Sequence, residues 1–314
     1  PSYDSNLVEK GISSEDYQKL MSDPDKPMFN RSISGEYPPG STFKPIVAAA
    51  ALQEKIVTPD TTIDCHGGIG IGSYKFPDWK THGVTDIRKA IAESCDVFFY
   101  AIGGGWDSIS ALGIDRMKKY ANLFGLGKTL GVDIPGEASG LMPDRAWKQS
   151  KLEEKWYVGD DYHCSIGQGF DTATPLQMAN LAATIANGGT VFQPHLAKSI
   201  RNPDGSEEKV DSKVLNENFI TYQNMQVIRE GMRQTIESGS ARLLGDLKVA
   251  VAGKTGTAQF GGEDKTHGWF ISFAPYDNPT IAMAVLMEGG GEGSSTAVPV
   301  TKDVYKWYFD ERGQ

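Results

Sequence analysis

The chain has 314 residues, 39% of them apolar and 23% charged, which is ordinary globular composition and enough length for one large domain or two modest ones. A net charge of −9 removes the electrostatic support that nucleic-acid binding needs, and no apolar run reaches the roughly 18–20 residues of a membrane helix. Three cysteines, Cys65, Cys95 and Cys164, are too few and too odd in number for a disulfide framework and read as buried thiols.

The first ~35 residues are polar and turn-rich, and the chain opens on Pro1-Ser2-Tyr3 with no initiator Met and no signal-like segment, so it reads as a piece of a longer protein. Tyr37-Pro38-Pro39-Gly40 is a stop. The alanine-rich run after it predicts a buried helix starting near Ser41, with Pro45 tolerated in the first turn. Residues 64–84 are glycine-rich and irregular. A second helix is expected from about Thr85, with Ile87, Ile91, Ser94 and Phe98 on one face, and a third over Ile114–Phe124. Thr174-Pro175-Leu176-Gln177 is a capping box opening a helix through Met178, Leu181 and Ile185 that stops at Asn187-Gly188-Gly189. Another helix covers Asn224–Ser238. Then the texture changes: Val249–Ala252, Trp269–Ala274 and Thr280–Met287 read as strands, with turns at Glu263–His267 and Tyr276–Pro279, before a last helix through Val304, Trp307 and Tyr308. A helix-rich first two-thirds followed by a strand meander predicts an α+β fold, an antiparallel sheet with helices packed on it.

Three short motifs stand in order: Ser41-x-x-Lys44, Ser94-Cys95-Asp96 and Lys254-Thr255-Gly256-Thr257. Each is weak alone; together they are specific. Three residues apart at a helix start, Ser41 and Lys44 share a face. A serine hydroxyl is a poor nucleophile until a neighbour takes its proton, and a lysine does so only when burial and nearby cations favour its neutral form, a second cation that Lys254 can supply. Ser94 can relay a proton between Lys44 and a leaving amine. Asp96 can hold Lys44 by charge-assisted hydrogen bonds. The segment from Lys254 follows a candidate edge strand, where an extended peptide can pair. Gly256 would allow close approach of substrate, and Lys254, Thr255 and Thr257 can bind a terminal carboxylate. The backbone N–H groups of Ser41 and Thr257 are candidate oxyanion donors.

This set resembles the one shared by serine β-lactamases and penicillin-binding proteins. Gly35-Glu36-Tyr37-Pro38-Pro39-Gly40-Ser41-Thr42-Phe43-Lys44-Pro45 is similar to the nucleophile segment of class B penicillin-binding proteins. Ile134–Gly140, Trp156–Asp160, Ser165–Gly169 and Lys254–Gln259 extend the likeness over nearly the whole chain. Aspartate at position 96 resembles the elongation-specific members, penicillin-binding protein 2. The resemblance implies a five-stranded antiparallel sheet flanked by helices plus a mostly helical subdomain (sheet part about 1–60 and 215–314, helical part about 61–214). It implies a D,D-transpeptidase that cross-links D-Ala-D-Ala stem peptides through Ser41 and is acylated by β-lactams. It further implies a single-pass anchor in the cytoplasmic membrane with the catalytic domain outside it, a pedestal domain, and RodA-type glycosyltransferase and MreC-type scaffold partners. Hydrolases with the same acylation chemistry and non-catalytic β-lactam sensors are the competing readings.

No cofactor is required for this chemistry, but Asp64, Asp78, His82 and Cys95 are all zinc ligand types, and four would close a tetrahedral structural site beside Ser94 and Asp96. The glycine-rich stretch has little apolar content to hold it, which a metal would supply. Cys65 and His66 compete for ligand roles. Cys164, beside His163, lacks motif context and reads as packing.

Overall fold

A computed structural model describes every residue except Lys10, Glu263, Asp264, Gly313 and Gln314. In chain order the elements that matter for the site are helix α1 (Lys44–Gln53), strands β1 (Ile63–Cys65), β2 (Gly68–Ile71), β3 (Tyr74–Pro77) and β4 (Gly83–Thr85), helices α2 (Ile87–Glu93), α3 (Asp96–Gly104), α4 (Gly113–Leu123), α5 (Pro175–Ala186) and α6 (Tyr222–Glu237), strands β5 (Ala252–Gln259), β6 (Thr266–Ala274) and β7 (Ile281–Met287), and helix α7 (Ala297–Lys306).

The antiparallel sheet runs β7-β6-β5, so β5 is an edge. Alternation along β6 sorts its side chains between two cores. Trp269, Ile271 and Phe273 face the larger core, built from α1, α3, α5 and their neighbours, while Phe270 and Ala274 face a smaller one closed by α7. Helix α1 is buried along its length, as its alanines require. The capping box at Thr174 forms as expected, with Gln177 Oε1 accepting from Thr174 N at 2.8 Å. No helix among the described residues is long and apolar enough to cross a membrane.

Four expectations are corrected. The sheet has three strands among the described residues, not five; the polar segment before Tyr37 folds into short helical turns (Asn6–Glu9, Ser14–Ser22, Arg31–Ser34) and supplies no strand. The strand expected at Val249–Ala252 instead begins at Ala252 and carries Lys254–Thr257 within it. The turn expected at Glu263–His267 lies partly outside the described residues, and His267 belongs to β6. Lastly, the helix expected to run from Thr85 past Phe98 breaks in two at Ser94.

Candidate active site

The break at Ser94 builds the centre of the site. Ser94 adopts the left-handed conformation (φ 59°, ψ 41°), a strained choice for a side chain with a Cβ, and Cys95 then caps α3. A continuous helix would have spent the Ser94 carbonyl on its own ladder. Broken, it accepts a hydrogen bond from Lys44 Nζ at 2.9 Å, and Ser94 Oγ accepts another at 3.0 Å. The Lys44 ammonium also donates to Asp96 Oδ1 and lies 5.2 Å from the centre of the Phe99 ring. Lys44 is wholly buried, so these contacts stand in for its lost hydration.

Ser41 stands one turn before Lys44, in the 3₁₀ turn Gly40–Phe43. Two segments clamp that turn. Gly40 N donates to Gly167 O at 2.8 Å, and a Cβ on Gly167 would lie 2.1 Å from Gly40 O. Trp269 Nε1, from the sheet, donates to Pro38 O at 2.9 Å. A Cβ on Gly256 would come within 2.9 Å of Thr42 Cγ2 and 3.1 Å of Pro39 O. Gly256 therefore permits the close approach of the nucleophile turn to the edge strand, and it lines the cleft as well.

A cleft of about 320 Å³ joins Ser41, Ser94 and Asp96 to Thr255, Gly256 and Thr257 of β5. Gln168 Nε2 donates to Thr257 O at 3.2 Å, so that carbonyl points away from β6. In a strand the N–H and C=O of one residue point to the same side, which leaves the Thr257 N–H on the free edge beside Ser41's turn. Thr255 Oγ1 is 2.6 Å from Ser240 Oγ. Trp79, Glu93, Ser240, Glu292 and Ser294 complete the walls. Glu93 adjoins the Ser94 motif at the end of α2, while the other four come from loops without motif context that only tertiary folding assembles.

Lys254 is wholly buried, its amine 3.0 Å from Thr255 O. Burial disfavours its ammonium and holds its pKa well below the usual lysine value; the charge of Lys44 pushes the same way, and Asp96 opposes both. The sequence assigned Lys254 the part of a cation that neutralises Lys44. In the structure the Asp96 carboxylate is bonded to Lys44, and Lys254 is the amine that burial drives toward the neutral form.

Asp78, His82 and Cys95 present ligand atoms within 4.8 Å of one another. Asp64 stands apart, its side chain 54% exposed and its carboxylate 3.2 Å from His66 Nε2. The cause is strand parity: in β1, Ile63 and Cys65 face inward and Asp64 outward. Cys65 Sγ lies 2.9 Å from Cys95 Sγ, but Cys65 is not one of the three residues whose ligand atoms converge. His82 lies with Nε2 3.3 Å from Asp78 Oδ1 and Nδ1 3.0 Å from Glu93 Oε2. A thiol, an imidazole and a carboxylate are donor types suited to zinc, three of the four a tetrahedral site takes.

One buried group near the site titrates into the neutral range. Asp171 is fully buried beside Cys164, and neither carboxyl oxygen has a hydrogen-bond partner among the described residues. Burial raises its pKa to about 8, and a thiol, a weak donor, offers little relief. Its folded pKa lies above the unfolded value of about 3.9, so its contribution to stability is intact below pH ~4 and is lost as pH rises toward 8. Asp171→Asn is thus expected to be more stable than the parent at pH 8, by roughly 2–5 kcal/mol, with the gap closing near pH 4. Thermal melts across that range check this, and a gap independent of pH would sink it.

Comparison with known proteins now has a geometry to explain. A family model described as the penicillin-binding protein transpeptidase domain matches residues 1–306. The chain belongs to the penicillin-binding protein transpeptidase family. It is 37% identical to the peptidoglycan D,D-transpeptidase MrdA of Haemophilus influenzae, covering 99% of this chain and 50% of the relative. It superposes on penicillin-binding protein 2 of Pseudomonas aeruginosa, solved in complex with WCK 5153, with a TM-score of 0.89 at 39% identity, covering 100% of this chain and 68% of that one. It also superposes on penicillin-binding protein 2 of Helicobacter pylori, solved in complex with MreC, with a TM-score of 0.82 at 34% identity, covering 96% and 55%. The chain thus spans about half the length of the curated relatives it matches. The fold of the family is the α+β one read from the sequence.

Proposed function

We propose that this chain is the catalytic unit of an elongation-type peptidoglycan D,D-transpeptidase. Ser41 Oγ attacks the carbonyl of the penultimate D-Ala of a stem peptide, the C–N bond to the terminal D-Ala breaks, and an amine of a second stem peptide then takes the acyl group. The observation that carries this reading is Lys44, wholly buried and bonded to both Ser94 and Asp96 in the cleft that Ser41 lines. Lys44 first passes an ammonium proton to the Asp96 carboxylate it is bonded to, and the free amine then takes the proton from Ser41. Ser94 Oγ, 3.0 Å from Lys44 Nζ, hands a proton on to the departing amine. The N–H groups of Ser41 and Thr257 receive the developing oxyanion. The Thr255 and Thr257 hydroxyls, with Ser240 behind Thr255, receive the terminal carboxylate, and Lys254 supports them from beneath the strand.

β-Lactams, which present a strained amide to the same groups, would acylate Ser41. Incubated with a penicillin and followed by intact mass, the chain is expected to form a long-lived one-to-one adduct that Ser41→Ala abolishes. An adduct that forms and vanishes while penicillin is consumed would move the reading to a hydrolase, and no adduct at all would overturn it.

By the same resemblance, the full protein would be held at the outer face of the cytoplasmic membrane by a single helix, with a RodA-type glycosyltransferase and an MreC-type scaffold beside it. The Helicobacter pylori relative in complex with MreC supports the last of these. For the metal, we propose a structural zinc held by Asp78, His82 and Cys95. It would supply no chemistry to the reaction but would fix the segment 63–85 against Cys95, between Ser94 and Asp96.

A further inference from the structure

Past the cleft that holds Ser41 lies a second chamber of about 400 Å³, walled by Trp79, Lys80, Glu93, Ser240, Arg242 and Leu243. Trp79, Glu93, Ser240 and Ser294 line both spaces, so the two are continuous. The chamber lies on the Thr255 side of the cleft: its wall residue Ser240 bonds to Thr255, and both Thr255 and Thr257 line the cleft itself. Its wall is firmly seated. Ser240 N donates to Ala92 O at 3.3 Å, and a Cβ on Gly239 would come within 2.2 Å of that same carbonyl, so the loop lies flat on the end of α2.

The chemistry of the wall is specific. Lys80 is already matched by Glu93 at 2.9 Å and lies 4.9 Å from the centre of the Trp79 indole. Arg242 has no ion pair or side-chain hydrogen bond among the described residues. Trp79 is 63% exposed and Leu243 48%, apolar surfaces facing a space with one unmatched guanidinium. That combination suits a peptide bearing a carboxylate.

We propose that this chamber is the acceptor site, and that Arg242 holds a carboxylate of the incoming peptide. The inference rests on the transpeptidase reading and extends it. In the acyl-transfer step the acceptor nitrogen bonds to the ester carbonyl carbon, the bond from that carbon to Ser41 Oγ breaks, and the amine's proton returns to Oγ. This is the reverse of acylation with a different amine, so the acceptor nitrogen passes through the place the D-Ala nitrogen has left. The departing D-Ala lies toward Thr255 and Ser240. The body of the acceptor must extend the same way, and the chamber is the space there.

The test measures how the acyl-enzyme partitions. The chain is acylated with a small acyl-D-alanyl thioester, and aminolysis and hydrolysis products are quantified with a carboxylate-bearing peptide amine and with its carboxamide counterpart as acceptors. Arg242→Gln is expected to lower the aminolysis-to-hydrolysis ratio about tenfold for the carboxylate acceptor, the loss of one charge-assisted hydrogen bond. The carboxamide acceptor and the rate of penicillin acylation should be unaffected, and Arg242→Lys should restore part of the ratio. An unchanged ratio, an equal loss with both acceptors, or slowed penicillin acylation in Arg242→Gln would each overturn the assignment. Failure of the parent chain to form any penicillin adduct would instead remove the transpeptidase reading beneath it.

Discussion

Lys44→Met is expected to acylate with penicillin about a thousandfold more slowly than the parent chain, the size of a lost general base. Methionine keeps the length and apolar stem of the side chain, so the packing against Phe99 survives while the amine is removed. Asp96 does not become a stranded charge: its side chain is 20% exposed, and the Lys254 amine, freed from repulsion by Lys44, can bear the balancing proton. The melting temperature should therefore change little, which separates a lost base from a lost fold. Lys44→Arg should be as slow as Lys44→Met, because a guanidinium does not give up its proton. Asp96→Asn keeps an acceptor for Lys44 and should cost less than Lys44→Met. The rate of appearance of the acyl-enzyme by intact mass reads all three. A Lys44→Met chain that acylates within tenfold of the parent would mean that the Ser41 proton goes elsewhere, and Lys254 would be the next residue to replace.

The same residues show which parts of the site a sequence can disclose. Ser41 and Lys44 are legible because three residues at a helix start fix their relation with no help from the rest of the chain. The pairing of Lys44 with Ser94 and Asp96 spans 50 and 52 residues and is legible only through the joint occurrence of the motifs. The form of that pairing is not. Ile87, Ile91, Ser94 and Phe98 keep helical spacing across the break, and nothing in a serine announces a left-handed backbone. The edge strand hides for a related reason: Lys254-Thr255-Gly256-Thr257 has no alternation of apolar and polar side chains, because one face of that strand packs on the nucleophile turn through a glycine. That Asp64 points away from the cluster depends on the parity of a three-residue strand, which its pairing with Gly83–Thr85 sets. Trp79, Ser240 and Arg242 belong to segments that carry no local pattern at all. Chemistry borne by contiguous motifs is visible in one dimension, while chemistry set by register and by loop convergence is not.

Purified with zinc, the chain is expected to hold about one zinc per molecule, and its removal by a chelator should lower the melting temperature by about 5 °C. Strands β1 to β4 form two small ribbons, and the β2–β3 ribbon exposes Tyr74 and Lys75. Ribbons of two strands are marginal alone. Ile63 and Ile69 tie them into the core and Tyr100 donates to Pro77 O at 3.2 Å; the cluster adds polar links, with Asp78 accepting from Val97 N at 3.0 Å, His82 reaching Glu93, and Cys65 meeting Cys95. A metal binding the folded form and not the unfolded one would stabilise all three links at once. Because Cys95 belongs to the cluster and Asp64 faces outward, Cys95→Ser should lose most of the metal and Asp64→Asn should keep it. The reverse pattern would restore Asp64 as the ligand and require β1 to shift its register by one residue, and a zinc-free parent would remove the metal altogether. Since Cys95 caps α3 between Ser94 and Asp96, loss of zinc should also loosen the two acceptors of Lys44 and slow acylation of Ser41 in proportion to the metal lost. A structural ion would in that way set the geometry of a reaction in which it takes no part.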